Sequence, residues 1–248
     1  MDRASVAAAY LSGRGRGCRL KQQMMKIPAF LSGLVVLLLL GSCQQPLKKR
    51  NVLVIGDSNG AAGRGWVYQF QQQRGGGPLV NTALSGNTIG FTDAGNRERN
   101  TLENLTPYLR RGYAEMGGID EILIGLGTND CKEQFADEHG QIAANLITLL
   151  DRIGTFFADR GQDLPRIVLL TPPPVGEDAV VNASFQGARA CTAALSAEVR
   201  RIAAERGLCL VDWQARPGDA VLEFSDDGIH FSERGYEMLA RQVVRACY

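Results

Sequence analysis

A serine and a histidine in two short polar segments have the types and spacing of a nucleophilic centre. Ser58 lies in Gly56-Asp57-Ser58-Asn59-Gly60, directly after an apolar run, so we expect it on a sharp turn at the end of a strand. His230 follows Asp227 by three residues, and one tight turn can hold both side chains. An aspartate that accepts the Nδ1 proton of a histidine leaves Nε2 to take the proton of a serine hydroxyl. The segments therefore predict Ser58 as nucleophile, His230 as general base and Asp227 as the acid that orients it.

Each segment also has an ordinary structural interpretation. Asp, Ser, Asn and Gly are common turn residues, and Asp227 can cap a turn in which His230 only packs. The G-x-S-x-G pattern around Ser58 also occurs in α/β-hydrolases, but their nucleophile follows a strand in the middle of the sheet. The second histidine, His139, lies between charged residues and a glycine, and we expect it in a solvated loop or at a helix start.

Two further segments carry groups that can stabilise a negatively charged oxygen. Asn129, in Gly127-Thr128-Asn129-Asp130, follows the third predicted strand, and its amide can donate to an oxyanion. Gly86 follows the second predicted strand, and a glycine lets the backbone approach a ligand and present its N–H. Either residue alone is compatible with a routine turn.

Together and in this order, the four segments resemble those of the SGNH/GDSL hydrolase family over about residues 51 to 246. The resemblance implies a serine ester hydrolase that needs no metal and no organic cofactor. It also implies a role for each of five residues: Ser58 as nucleophile and N–H donor, Gly86 and Asn129 as the remaining oxyanion donors, and Asp227 and His230 as the rest of the triad.

Five short apolar runs predict the strands that position these residues. They are continuously apolar and rich in Val, Ile and Leu, which is typical of strands buried on both faces of a parallel sheet. The runs are Val52–Ile55, Leu79–Leu84, Ile122–Leu126, Ile167–Leu170 and Leu208–Val211.

Segments with helical spacing separate several of these runs and predict crossover helices. The spacing is clearest in Ile142–Phe157, Cys191–Ala204 and Glu233–Ala246, and less clear in Trp66–Gln73. Alternating strands and helices indicate an α/β fold, a three-layer α/β/α sandwich around a five-stranded parallel sheet, and the family resemblance implies the flavodoxin-like arrangement.

Two polar segments without periodicity are predicted loops. They are Gly90–Arg99 and Pro172–Asn182. The loops beyond the carboxyl ends of the strands build the site of an open parallel sheet, so we expect both to contact the substrate.

The N-terminus carries signals for export and anchoring. Lys26 is followed by the apolar run Ile27–Leu40, which at about 14 residues is shorter than the roughly 20 that a spanning helix needs. The ending Leu40-Gly41-Ser42-Cys43 resembles a bacterial lipobox, which implies cleavage before Cys43 and lipid on its sulfur and new amino group. An ordinary secretory signal with a chance cysteine is the alternative.

These signals divide the chain into three parts. Residues 1–42 are the predicted signal peptide, 43–50 a lipidated tether, and 51–248 a single hydrolase domain. Residues 1–23 are either a long basic n-region or lie upstream of the start that is used. We therefore expect a protein of the cell envelope, held through Cys43 on a bacterial membrane and facing the periplasm or the exterior.

Charge and cysteine content exclude some functions and leave others open. Residues 1–42 hold six of the 27 Lys and Arg and one of the 26 Asp and Glu, so the mature chain has a net charge near −4. This negative charge predicts that the protein does not bind nucleic acid, because no basic patch remains to neutralise phosphates. The remaining cysteines show no metal-ligand spacing and allow three disulfide pairings, although some are compatible with simple packing roles. They are Cys131, Cys191, Cys209 and Cys247. The oligomeric state stays open.

The substrate is the least determined feature. We expect acetyl or other short acyl esters on carbohydrate, because the chain carries an export signal, shows no long apolar lid, and has polar Asn59, Asn87 and Thr92 near the predicted site. Asn59 stands where the family often has an apolar residue, which leaves the polarity beside Ser58 open. The alternatives are a lysophospholipase or thioesterase acting on lipid-derived acyl esters, and a non-catalytic envelope lipoprotein.

Overall fold

The first apolar run forms β1, Val52–Gly56, in the computed structural model, which describes residues 45–248. All five residues of β1 are buried, as expected for a strand covered on both faces. The predicted signal peptide and the predicted lipidation of Cys43 lie outside the described residues.

Five parallel strands form the sheet, in the order β2-β1-β3-β4-β5. This order is the flavodoxin-like one and confirms the predicted fold class. The register pairs the last residue of β1, Gly56, with Gly125 of β3. The remaining strands are β2, Leu79–Asn81; β3, Glu121–Gly125; β4, Arg166–Leu170; and β5, Cys209–Val211.

β2 departs most from its predicted end, whereas the ends of the other strands lie within one residue of prediction. It ends at Asn81 rather than at Leu84, because the Asn81 side chain accepts a hydrogen bond from Ala83 N and donates one to Gly60 O. An asparagine that bonds to the backbone two residues further on forms a turn instead of an extended chain. The turn leads the chain from β2 toward the end of β1.

Six helices flank the sheet within the described residues, five in the connections between strands and one after β5. The four helices expected from periodicity are present, and α1 and α3 are additional. The helices are α1, Ser58–Ala61; α2, Trp66–Gln73; α3, Thr101–Met116; α4, Ile142–Ala158; α5, Ala188–Arg206; and α6, Glu233–Cys247. None of the helices within 45–248 is long and apolar enough to cross a bilayer.

α3 lacks the sequence features that predict a helix clearly. It contains Pro107 in its interior and buries only a narrow stripe that includes Leu105 and Leu109. Its ends do carry local signals, because the Asn100 side chain accepts a hydrogen bond from Glu103 N, and Gly117 ends the helix in a left-handed conformation.

Alternate residues of each strand build two separate cores. Leu53 and Ile55 of β1 pack with α3, α4 and α5, whereas Val52 and Val54 pack with α2 and α6. The helices therefore cover both faces of the sheet and complete the three layers.

Two disulfides join distant elements of the fold. Cys131, in the turn after β3, is bonded to Cys191 in α5, and Cys209 of β5 is bonded to Cys247 at the end of α6. The structure thus selects one of the three pairings that the sequence leaves open.

Candidate active site

Ser58 is the first residue of α1, directly beyond the carboxyl end of β1. The turn between them is fixed by Asp57, whose buried carboxylate accepts a hydrogen bond from Asn59 N at 3.0 Å. A side chain that accepts from a backbone N–H two residues ahead caps the start of a helix. Ser58 is half-buried and lies at the edge of the sheet where the sequence places it.

His230 lies in the turn that precedes α6. Its two neighbours are buried on opposite faces of the sheet, Ile229 in the core with α3–α5 and Phe231 in the core with α2 and α6. The imidazole therefore remains outside both cores. Gly228 has a φ of +72°, and a Cβ there would lie 3.1 Å from Gly176 Cα, so the turn requires glycine.

The structure brings Ser58, His230 and Asp227 together. His230 Nε2 lies 2.9 Å from Ser58 Oγ, and His230 Nδ1 lies 2.7 Å from Asp227 Oδ2. The second carboxylate oxygen of Asp227 accepts from the backbone N–H groups of Ile229 and His230. Partial burial raises the pKa of Asp227, but these hydrogen bonds outweigh it and hold the pKa below its ordinary value. Such a carboxylate stays ionised and can hold the imidazole with Nε2 directed at a hydroxyl.

Gly86 and Asn129 lie beside the same end of β1. Asn87 donates from Nδ2 to Gly56 O at 3.0 Å, and Asn129 donates from Nδ2 to Asn87 O at 3.1 Å. A primary amide has two N–H groups, so Asn129 has a second one to offer an oxyanion. Gly86 has a φ of +82°, which only glycine adopts readily, and a Cβ there would lie 3.0 Å from Arg99 Cδ.

Two buried carboxyl groups beneath the site were not singled out from the sequence. Burial raises the pKa of Asp57 to about 6 and that of Asp130 to about 7. Both oxygens of Asp130 accept from Ile89 N, which ties the turn after β3 to the loop after β2. The position of Asp130 beside Asn129 was the available signal, because a polar residue that follows a buried strand must find partners.

The three polar residues that favoured a carbohydrate substrate in the sequence do not all face the site. Asn59 is buried and accepts a hydrogen bond from the Tyr236 hydroxyl at 3.1 Å. Asn87 is fully buried, and its side-chain amide donates a hydrogen bond to Gly56 O. Thr92 is exposed and accepts from Asn100 Nδ2. Two of the three side chains therefore hydrogen-bond inside the fold instead of facing solvent beside Ser58.

The two predicted loops lie on different sides of the site. Gly176, in 172–182, donates its N–H to Gly228 O at 2.8 Å, next to Asp227. Arg99, at the end of 90–99, lies over Gly86. A cavity of about 340 Å³ lies on the Gly228 side and is lined by Gly176, Glu177, Val180, Arg189, Leu222, Ser225 and Gly228.

His139 lies outside this arrangement, in a 3-10 segment, Glu133–Gln141, that leads into α4. Its Nε2 is 3.3 Å from Lys132 O. Across 45–248, no group of three His, Cys, Asp or Glu side chains is arranged to hold a metal ion.

Comparison with known proteins identifies a family over most of the chain. The sequence model of the GDSL-like Lipase/Acylhydrolase family matches residues 54–238. No curated protein sequence matches the chain.

Solved structures share the fold at low sequence identity. Est24, a carbohydrate acetylesterase from Sinorhizobium meliloti, is 23% identical with a TM-score of 0.63, and the match covers 81% of this chain and 100% of that one. The native aryl esterase of M. smegmatis is 23% identical with a TM-score of 0.64, covering 80% and 99%. A lipase/acylhydrolase from Enterococcus faecalis is 21% identical with a TM-score of 0.55, covering 78% and 93%.

Proposed function

Since the chain belongs to the GDSL-like lipase/acylhydrolase family and is a carboxylic ester hydrolase, we propose that Ser58, His230 and Asp227 form its catalytic triad and remove acetyl or other short acyl groups from carbohydrate. The observation that carries this proposal is the continuous series of contacts from Asp227 through His230 to Ser58, at 2.7 and 2.9 Å.

The triad works by two acyl transfers. Ser58 Oγ attacks the ester carbonyl while His230 Nε2 takes the hydroxyl proton of Ser58. The resulting imidazolium is stabilised by Asp227. His230 then returns the proton to the departing alcohol, which leaves an acyl group on Ser58. Water attacks this acyl-enzyme with His230 again as base, and collapse of the second intermediate releases the acid and restores the Ser58 hydroxyl.

The oxyanion hole comprises the N–H groups of Ser58 and Gly86 and the second amide N–H of Asn129. All three lie around the end of β1, where Gly56 O is bonded to the side chain of Asn87. Donors that are fixed before the reaction stabilise the charge that develops in the transition state, at about 3 to 4 kcal/mol each. The hydrogen bond from Asn129 to Asn87 O fixes the amide in this way.

Two observations support a polar alcohol such as a sugar. The cavity beside Gly228 is lined by Ser225 and Gly228, which flank the proposed acid Asp227 in the chain, and its walls also include Glu177 and Arg189. Carboxylate, guanidinium and hydroxyl groups all hydrogen-bond to sugar hydroxyls. The resemblance to a protein described as a carbohydrate acetylesterase points in the same direction.

The proposal extends to the location of the enzyme. Lipid on Cys43 would hold the domain at the surface of a bacterial membrane, through the short segment that ends at Arg50. The end of this segment is fixed to the domain, since Arg74 donates to the backbone oxygens of Leu47 and Arg50.

The triad is tested by substituting Ser58 and each of the two histidines by alanine, one at a time. Hydrolysis of p-nitrophenyl acetate by the detergent-solubilised full chain should fall at least 1000-fold in Ser58→Ala and nearly as far in His230→Ala. His139→Ala is the matched control and should retain wild-type activity. A reversed ranking of the two histidines would contradict the triad.

The substrate class is tested by chain length and alcohol. Activity should be highest with acetyl esters, fall with longer acyl chains, and extend to release of acetate from acetylated sugars. A preference for acyl chains of eight or more carbons would instead support the lysophospholipase or thioesterase alternative. A wild-type protein that hydrolyses none of these esters would support the non-catalytic alternative.

A further inference from the structure

The side chain of Arg99 covers the glycine of the proposed oxyanion hole. A Cβ built on Gly86 would lie 3.0 Å from Arg99 Cδ and 3.2 Å from both Nε and Nη1. The guanidinium therefore lies beside Gly86, the residue whose N–H is a proposed oxyanion donor. A charged group of a substrate bound at this hole would therefore be within reach of Arg99.

The backbone of Arg99 is fixed while its side chain remains accessible. Its carbonyl oxygen accepts from Thr88 N at 2.8 Å and from Thr88 Oγ1 at 3.0 Å, and its N–H donates to Asn96 O. The side chain is 42% exposed. Arg99 thus presents a solvent-accessible cation from a fixed backbone position.

The charge of Arg99 is incompletely neutralised by its ion-pair partner. Asp93 lies 4.0 Å from Arg99 but only 2.8 Å from Lys132 Nζ, and it also accepts from Gln134. These bonds from Lys132 and Gln134 hold the pKa of Asp93 below its ordinary value. One carboxylate therefore serves two cations, and the nearer cation, Lys132, is the more buried of the two. The surplus positive charge remains on the exposed guanidinium.

We infer that Arg99 binds an anionic group of the substrate, a carboxylate or a phosphate, next to the oxyanion hole. This inference rests on the proposed function and narrows its substrate to short acyl esters that carry a negative charge. A guanidinium is suited to the task, because its planar array of N–H donors binds both oxygens of a carboxylate or phosphate. The anion can belong to either half of the ester: an acidic acyl group, or an acidic sugar that carries an acetyl group.

Substrate pairs that differ by one charge test the inference. The acyl arm compares ethyl butyrate with monoethyl succinate, and the alcohol arm compares acetylated glucose with acetylated glucuronic acid. In at least one of the two arms, the wild-type enzyme should have a higher kcat/KM for the anionic ester than for its neutral partner. Arg99→Gln should reduce kcat/KM for that member roughly 10- to 100-fold more than for its neutral partner, the size expected for a charge-assisted hydrogen bond.

Two variants separate charge from structure. Arg99→Lys keeps the charge but not the two-point geometry, so it should retain part of the preference. Arg97→Gln is the matched control, because Arg97 is two residues away and pairs with Glu103, and it should retain the full preference. Added salt should weaken the preference of the wild type and leave Arg99→Gln unchanged.

The inference is overturned by two results. One is a wild type without preference for the anionic member in either arm, and the other is an Arg99→Gln variant that loses activity equally on neutral and anionic esters. Binding separates this failure from that of the proposed function. Calorimetry should detect binding of the anionic ester to the Ser58→Ala protein. This binding should be lost in Ser58→Ala/Arg99→Gln, whether or not Ser58 is the nucleophile.

Discussion

Asn129 combines a structural hydrogen bond with a proposed catalytic one. Its Nδ2 donates to Asn87 O at 3.1 Å, and its second N–H is assigned to the oxyanion. Asn129→Ala should therefore lower kcat roughly 100- to 1000-fold with little change in KM, because the lost donor acts mainly in the transition state. It should also reduce the free energy of unfolding by about 1 to 3 kcal/mol, because Asn87 O loses its partner. Steady-state kinetics and urea unfolding on one preparation measure both.

Asn87→Ala is the matched control for that experiment. Asn87 is also a buried asparagine that donates to a backbone oxygen, Gly56 O, but it has no assigned donor to the oxyanion. It should lose similar stability and less than tenfold in kcat. If Asn129→Ala were destabilised but fully active per folded molecule, Asn129 would have no place in the oxyanion hole.

The buried carboxyl groups should make stability depend on pH. Burial raises the pKa of Asp57 to about 6 and that of Asp130 to about 7, from an ordinary value of 3.8. Between about pH 4 and pH 7 the folded protein then binds more protons at these sites than the unfolded chain does. Their contribution to the free energy of unfolding therefore falls as pH rises through this window and is largest below it.

Asp130→Asn isolates this contribution. The amide oxygen can still accept from Ile89 N, but the group no longer titrates. Urea unfolding at pH 5, 6, 7 and 8 should show a steeper decline for the wild type than for Asp130→Asn. Parallel curves would mean that Asp130 is ionised throughout this range in the folded state.

At the level of elements, one disulfide lies close to the site and the other does not. Cys131 is two residues from Asn129 and is bonded to α5, whereas Cys209–Cys247 joins β5 to the end of α6. The bridges close segments with sequence separations of 60 and 38, so each should stabilise the fold by about 4 kcal/mol on chain-entropy grounds. Their removal should thus cost similar stability but have different effects on catalysis.

Paired double variants measure this difference. Cys131→Ala/Cys191→Ala should lower kcat about tenfold or more under conditions where the protein remains folded, because small displacements of a donor are costly. Cys209→Ala/Cys247→Ala should leave kcat within twofold of the wild type. Equal kcat changes in the two variants would show that the first bridge contributes nothing specific to the position of Asn129.

For the whole molecule, attachment to the membrane is predicted to depend on one thiol outside the described residues. Cys43→Ser should move the protein from the membrane fraction to the soluble fraction and abolish labelling with palmitate, because the acyl chains attach through that sulfur. Cys18→Ser is the control and should change neither, since Cys18 precedes the predicted cleavage site. A wild-type protein that is soluble and unlabelled would refute the lipoprotein prediction.

The sequence by itself determined the parallel sheet and the residues proposed for catalysis. Continuous apolar runs indicate strands that are buried on both faces of a sheet. Polar residues that directly follow parallel strands must lie at one edge of that sheet. Local pattern is sufficient for both conclusions, which is why the predicted β1 and α2 agree closely with the structure. It was insufficient for α3, where Pro107 and a narrow apolar stripe obscure the periodicity.

Only the tertiary structure decided which residues meet across the chain. Ser58 and His230 are 172 residues apart, and their 2.9 Å contact depends on how the first strand and the last helix pack in the fold, which no local pattern specifies. The same applies to the pairing of Cys131 with Cys191 and to the burial of Asn59, which was expected beside the substrate but bonds to Tyr236. Arg99 likewise shows no pattern in the sequence. Its position over Gly86 arises because the loop after β2 folds back onto its own start, a contact that is specified by packing and hydrogen bonds rather than by periodicity.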